Sequence, residues 1–150
     1  MQKKNFHRGF SVIEMLMMIS LFAVLASLII VAVNPISRGG DAQNAERWSN
    51  VNALVNALYL YDLENSGKPP LGVEETAHEI CSPNANAPQC VANGFVDLSL
   101  LVPKYVHTLP IDPRSSGPMG SGYSVSVDGA GKVTVRALNT ENADIISISR

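Results

Sequence analysis

The 150-residue sequence contains few of the residues on which most catalytic and metal sites depend. It has two cysteines, three histidines and one tryptophan, and charged residues make up only 16% of it. The cysteines and histidines do not show the spacing of zinc ligands. No nucleotide-binding glycine loop, serine-hydrolase elbow or HExxH motif occurs. The sequence therefore predicts a protein that is not an enzyme and that carries no metal and no cofactor.

What the sequence has in excess is a single apolar run. Hydrophobic residues make up 46% of the chain, and residues 15–33 include only two polar side chains, Ser20 and Ser27. At about 1.5 Å per residue this run is roughly 28 Å long, close to the ~30 Å hydrocarbon core of a bilayer. It predicts a membrane-spanning helix. The length that remains outside the membrane, roughly 115 residues, excludes a multidomain enzyme.

The net charge of −2 conceals an asymmetry along the chain. Residues 1–9 carry Lys3, Lys4 and Arg8 and no acidic residue, so the remainder has eight basic residues against thirteen acidic ones. Positive residues before a span keep that end in the cytoplasm. The acidic remainder is then expected outside the cytoplasm, where cysteines can be oxidised. Without a basic patch there, strong nucleic-acid binding by the isolated subunit is not expected.

Two ordinary interpretations of residues 1–33 are a cleaved secretory signal and a plain signal anchor. The apolar run is longer than a usual signal-peptide core, and residues 31–35 make a poor signal-peptidase site. A plain anchor has no use for Glu14, which lies inside the apolar stretch that begins at Phe10. A carboxylate deep in a bilayer costs about 3 kcal/mol even on lenient scales. Glu14 is therefore a candidate functional residue.

The segment Arg8-Gly9-Phe10-Ser11-Val12-Ile13-Glu14, between a basic leader and an apolar helix, resembles the class III signal of type IV pilins and pseudopilins. That family pattern is a short basic leader ending in glycine, an aromatic residue at the new N-terminus, and glutamate as the fifth mature residue. Residues 41–70 are similar to the second half of the family's long helix, and residues 109–113 to the segment before its β-meander.

The resemblance implies processing and assembly at named residues. Prepilin peptidase would cut between Gly9 and Phe10, where glycine leaves room for the protease, and would methylate the amine of Phe10. Glu14 would then meet the Phe10 amine of a neighbouring subunit, or, in the simpler alternative, that of its own chain. The implied partners are prepilin peptidase, copies of the chain and other pilins, the pilus assembly platform, and the lipid bilayer before assembly.

Three functions fit these features. The first is a structural subunit of a type IV pilus-like filament, polymerised through its N-terminal helix. The alternative is a pseudopilin of a type II secretion or DNA-uptake system. A second alternative, a monomeric membrane-anchored binding domain, needs neither Glu14 nor leader cleavage. The first two imply an inner-membrane precursor with a cytoplasmic N-terminus, and then an extracellular or periplasmic filament.

The expected fold is α+β, with a long N-terminal helix packed on a small C-terminal antiparallel sheet. Pro35, Gly39 and Gly40 predict a weak joint, either a kink or unwound stretch or a simple linker, and Asp41 is a candidate N-cap. The predicted segments are a leader at 1–9, a transmembrane and assembly helix at 10–33, the joint at 34–40, and an extracytoplasmic domain at 41–150 comprising a helix (41–66), a loop (67–121) and a β-meander (122–150).

Apolar periodicity predicts how the extracytoplasmic domain packs. One helix face is expected to be core and the opposite face to meet neighbouring subunits, and alternating strand residues are expected to cover the core face. A short helix is expected near 97–101, and Gly120-Ser121-Gly122 is interpreted as a flexible entry to the first strand. The core face comprises Trp48, Val51, Leu54, Val55, Leu58 and Tyr61; the opposite face comprises Ala53, Ala57, Leu60 and Leu63; the strand residues are Tyr123, Val125, Val127, Val133 and Val135.

Cys81 and Cys90 are the remaining candidates for local chemistry. Either they form a disulfide that closes the loop 82–89 or they are two free thiols, and the extracytoplasmic location favours the disulfide. His78 and His107 are expected to be surface or internally bonded residues. The loop carboxylates lack calcium-ligand spacing; they are Asp97, Asp112, Asp128, Glu141 and Asp144.

Overall fold

The computed structural model describes residues 9–33, 35–115 and 117–150. Lys3, Lys4 and Arg8 of the predicted leader, and Asn34 of the predicted joint, lie outside the described residues. The chain divides between Arg38 and Gly39 into two compact units. The first contains helix α1 (Val12–Val33). The second, Gly39–Arg150, is called the head below.

Helix α2 is longer than predicted at its N-terminal end. It runs from Pro35 to Glu64, so that residues 35–40 are helical and not unwound. Proline is tolerated at the first helical position, where its missing N–H has no intrahelical partner. Asp41 therefore lies within the helix and is not its N-cap; its carboxylate accepts a hydrogen bond from the side chain of Asn142 at 3.0 Å.

The head contains a four-stranded antiparallel sheet in the order β1-β2-β3-β4. The strands are β1 (His78–Cys81), β2 (Gly120–Val127), β3 (Val133–Ala137) and β4 (Ser147–Ser149). The last three form the predicted meander, with Val125 opposite Val135 and Val135 opposite Ile148. Strand β1 pairs with β2 and was not predicted. Together with α1 and α2 this is the expected α+β architecture.

Strand β1 escaped prediction because its sequence, His-Glu-Ile-Cys, shows no apolar alternation. Two short helices follow it. Helix α3 (Ala87–Ala92) begins after Asn86, whose side chain accepts a hydrogen bond from the Gln89 amide at 3.3 Å. A single 3₁₀ turn at Ser99–Leu101 occupies the position of the predicted short helix.

The core of the head lies between α2 and the sheet. Val51, Leu54, Val55 and Leu58 are buried as predicted, but Trp48 is 42% exposed and Ala57 is buried instead of facing outward. Helix α2 packs both on the sheet and on residues of the segment 96–109. The buried face is therefore shifted from the predicted one, away from Trp48 and toward Ala57. The core comprises Val51, Leu54, Val55, Ala57, Leu58, Val73, Ile80, Val96, Leu98, Leu101, Leu109, Tyr123, Val125, Val133, Val135, Ala137 and Ile146.

Candidate functional site

The predicted cleavage bond lies in a non-helical segment just before α1. Gly9, Phe10 and Ser11 have no regular secondary structure, and the Phe10 side chain is 69% exposed. Apart from the two neighbouring residues, a Cβ added at Gly9 would meet no described atom within 4 Å. The backbone at Gly9–Phe10 is therefore sterically open to an enzyme, and the chain itself places no packing demand on glycine at position 9.

Glu14 lies in the first turn of α1 and has a local partner. The backbone N–H of Ser11 donates to its Oε2 at 3.5 Å, while the amide of Met15 donates to the Ser11 carbonyl at 3.2 Å. Ser-x-x-Glu at the start of a helix is the capping-box motif, and the bond from the Ser11 amide to Glu14 is one of the two hydrogen bonds that define it. The motif is visible in the sequence as Ser11-Val12-Ile13-Glu14, so Glu14 is not an isolated intramembrane carboxylate.

Helix α1 presents apolar side chains in every direction. Residues Val12–Val31 have a mean hydropathy of 2.5, and none of this segment is buried within the chain. The hydroxyls of Ser20 and Ser27 donate to the carbonyls of Met17 and Val24 at 2.8 and 2.7 Å, so neither needs an outside partner. The helix is long and apolar enough to cross a membrane, and Glu14 is its one ionisable side chain.

The predicted disulfide is present. Cys81, at the end of β1, is bonded to Cys90 in α3, and both residues are buried. The amide of Cys81 donates to the Val96 carbonyl at 2.9 Å, and the amide of Val96 donates to the Glu79 carbonyl at 2.9 Å. The segment around Val96, which follows the disulfide-closed loop, thus covers the outer edge of β1.

A buried ion pair links α2 to the segment before β2. Arg47 and Asp112 have fully buried side chains, and Nε and Nη2 of Arg47 donate to the two carboxylate oxygens at 2.6 and 3.1 Å. Nη1 of Arg47 donates to Asn44 at 2.9 Å. The hydrogen bond to Asp112 raises the pKa of Arg47 above its ordinary value, although burial alone would lower it. This pair fixes the helix against the loop that precedes the sheet.

Sequence reasoning missed Arg47, although a signal was available. Arg47 is spaced four residues before Val51 and seven before Leu54, so it falls on the core face of α2. A charged residue at a core position is expected to have a buried partner. Asp112, treated as a free loop carboxylate, is that partner.

The other loop carboxylates are also bonded within the head. Asp97 accepts from the amide of Ser99 at 2.8 Å, Asp128 from the amide of Lys132 at 2.8 Å, and Asp144 from the side chain of Asn44 at 2.8 Å. Glu141 accepts from the exposed side chain of Arg114 at 2.6 Å. Over the described ranges, no three histidine, cysteine or acidic side chains are grouped as a metal site.

Gly120 and Gly122 serve close packing and not flexibility. Both lie within β2 and are buried. A Cβ on Gly122 would lie 2.5 Å from Cβ of Asp112, and one on Gly120 would collide with the carboxylate of Glu79. Glu79 in turn accepts a hydrogen bond from the Gly122 amide at 2.8 Å.

The two histidines outside the leader differ in their surroundings. Nδ1 of His78 lies 3.0 Å from the Gly94 carbonyl, and His107 is exposed.

A shallow depression beside β2 is a poor candidate for a ligand site. It has a volume of about 530 Å³ and is lined in part by Glu79, Phe95, Arg114 and Asn139. Glu79 and Arg114 already make the internal bonds described above. Helix α1, whose span has no buried residue, and the non-helical segment 9–11 before it are therefore the better candidates for contact with an outside partner. Comparisons with family models, curated proteins and solved structures found no match for this chain.

Proposed function

We propose that the chain is a structural subunit of a type IV pilus-like filament, made as a single-pass membrane precursor and processed at Gly9–Phe10 by prepilin peptidase. The observation that carries this proposal is that no residue of the apolar segment Val12–Val31 is buried within the described part of the chain. The segment has 20 residues, all but Glu14, Ser20 and Ser27 apolar, and these apolar side chains need either lipid or other helices around them. A precursor in the membrane and a filament with a helical core supply these two environments in turn.

Cleavage would change the electrostatics at the start of α1. The new amine at Phe10 has a reference pKa of about 7.7–8.0 and is largely cationic near neutral pH. Glu14, one turn into the helix, carries the opposite charge, and at present its carboxylate caps the Ser11 amide. In the filament this carboxylate pairs with the Phe10 amine of a neighbouring subunit and sets the axial register. Fixing register is a well-attested use of a buried polar contact.

Two substitutions separate the capping role of Glu14 from its proposed role between subunits. Glu14→Gln keeps an oxygen that can cap the Ser11 amide but removes the charge, whereas Glu14→Leu removes both. We expect each variant to insert and to be cleaved after Gly9. Incorporation into filaments should fall at least about tenfold, which is equivalent to about 1.4 kcal/mol.

The measurement is mass spectrometry of filaments purified from cells that express each variant together with the parent chain. A variant that is cleaved but excluded from filaments supports the proposal. If Glu14→Gln is incorporated like the parent and only Glu14→Leu fails, the role of Glu14 is capping within one chain. If Glu14→Leu assembles as efficiently as the parent, the role between subunits is wrong. A mature protein that retains residues 1–9, with no filaments, would favour a monomeric anchored domain.

A further inference from the structure

The two edges of the sheet are not equivalent. The outer edge of β1 is covered by the segment around Val96, through the two backbone hydrogen bonds described above. Strand β4 is the other edge and pairs only with β3. The segment Ile145–Ser149 at this edge contains no proline and no charged residue, which are common protections of an open edge. Ile145 is 72% exposed.

The hydrogen bonds to β3 show which backbone groups face the open edge. Arg150 and Val133 exchange both of their hydrogen bonds, at 2.8 and 2.9 Å, and the Ile146 carbonyl accepts from Ala137 at 3.0 Å. Because inward and outward bonding alternate along an antiparallel strand, Ser147 and Ser149 direct their N–H and C=O groups away from β3. By the same alternation, the backbone groups of Ile145 also face away from β3.

The segment 144–150 is complementary to itself when it is paired antiparallel about Ser147. In that register Ser147 lies opposite Ser147 of the second copy, and Ile145 lies opposite Ser149. Outward-facing groups then meet outward-facing groups, as the pairing pattern requires. The same register places Asp144 of each copy opposite Arg150 of the other. An acidic and a basic residue therefore face each other at each end of the strand pair.

Helix α2 already holds these two charged residues in place. Asn44 donates to Oδ2 of Asp144 at 2.8 Å, and Nη1 of Arg150 donates to Asn56 at 2.8 Å. The guanidinium carbon of Arg150 also lies 4.4 Å from the centre of the Tyr59 ring. Side chains that are ordered before binding lose less entropy when a partner arrives.

We propose that the β4 edge, residues 144–150, is an interface at which two copies of this chain join their heads as an antiparallel strand pair. A two-fold contact of this kind pairs subunits and closes. It is therefore separate from the repeating contact through α1, and it does not rest on the proposed filament. The paired strand is small beside a standard interface of about 1,600 Å², so isolated heads pair weakly and closely spaced heads pair more strongly.

Cysteine cross-linking of the full chain in detergent micelles tests the register. Both natural cysteines are in the disulfide, which keeps the background low. In Ser147→Cys the two new cysteines face each other with Cα atoms about 5.5 Å apart, within the range for a disulfide. In the matched variant Ser149→Cys the equivalent residues are offset by four positions, or about 13 Å at ~3.3 Å per residue. We expect at least about tenfold more cross-linked dimer from Ser147→Cys.

Charge reversal in the Ser147→Cys background tests the complementarity. Arg150→Asp should reduce cross-linking severalfold, and adding Asp144→Arg should restore it, while circular dichroism checks the fold of each variant. Equal cross-linking at 147 and 149, no cross-linking at 147, or no restoration by the double charge reversal would each overturn the proposal. Glu14→Leu in the same background should cross-link as the parent does, because the contact is independent of filament assembly.

Discussion

At the scale of single residues, Gly9 and Glu14 of the candidate processing site differ in their contacts within the chain. Gly9 is surrounded by open space, so the folded chain does not itself require glycine there. Glu14 is the opposite case, since its carboxylate has a bond within the chain as well as the proposed one outside it. The two residues therefore need different experiments.

Gly9→Phe is expected to block leader removal without affecting the fold. A bulky side chain hinders approach of a protease to the backbone, and a Cβ at position 9 has open space around it in the described part of the chain. The intact mass of the membrane-extracted protein should then retain residues 1–9 and lack the added methyl group. Gly9→Ala serves as a graded control. Normal cleavage of Gly9→Phe would contradict the assignment of this bond.

The Arg47–Asp112 pair gives a prediction about the stability of the head. Asp112→Ala removes both carboxylate hydrogen bonds of the buried guanidinium and leaves only Glu141, at 3.8 Å, as a nearby counter-charge; breaking a buried pair typically costs about 3–5 kcal/mol. Arg114→Ala is the matched control, because it breaks the exposed pair with Glu141, and such pairs are worth about 1 kcal/mol or less. Urea denaturation of both variants measures the difference. Equal losses for the two variants would mean that Arg47 finds another partner or water.

At the scale of elements, the disulfide links a short edge strand to a short helix. In the chain-entropy model, closing a ten-residue loop stabilises the folded state by about 2.7 kcal/mol. Strand β1 has four residues and α3 has six, so neither element would be stable alone. The disulfide therefore contributes to keeping the β1 edge covered.

Replacing both cysteines, Cys81→Ala with Cys90→Ala, should lower the free energy of unfolding by roughly 2–3 kcal/mol. Urea denaturation measures the loss, and proteolysis should show faster cleavage in the loop 82–89. Thiol labelling of the unfolded, non-reduced parent tests whether Cys81 and Cys90 are bonded to each other. Two reactive thiols per chain would show that the disulfide does not form in the protein.

At the scale of the whole molecule, the two units differ in where their apolar residues lie: buried in the head and exposed on α1. Among the described residues, the buried apolar core lies between Val51 and Ile146 in the head, whereas the span in α1 has no buried residues. The head contains the elements needed to fold, and α1 contains the apolar surface that requires a membrane or other copies.

A fragment of residues 39–150 is accordingly expected to fold and to remain soluble without detergent. Its free energy of unfolding should lie within about 1 kcal/mol of that of the full chain in micelles, because loss of exposed residues has small effects on stability. Thermal and urea melts followed by near-ultraviolet circular dichroism make the comparison. A fragment without a cooperative transition would show that α1 contributes to folding of the head.

The sequence by itself determined the elements whose periodicity or hydropathy is strong. The apolar helix, the core face from Val51 to Leu58 and the two strands with alternating valines were predicted, because burial of apolar surface dictates their pattern locally. The short helix expected near 97–101 is present as a 3₁₀ turn at Ser99–Leu101, within two residues of the prediction.

Only the tertiary structure decided the features that depend on partners distant in sequence. Strand β1 forms because β2 and Val96 satisfy its backbone on both sides, and no local pattern encodes that. Arg47 is buried with a charged partner, Asp112, that lies 65 residues later along the chain, and Trp48 is 42% exposed; neither result follows from local periodicity. The open edge of β4 likewise exists only once the strand order is known. Local propensity acts over a few residues, whereas pairing and burial are settled by the whole fold.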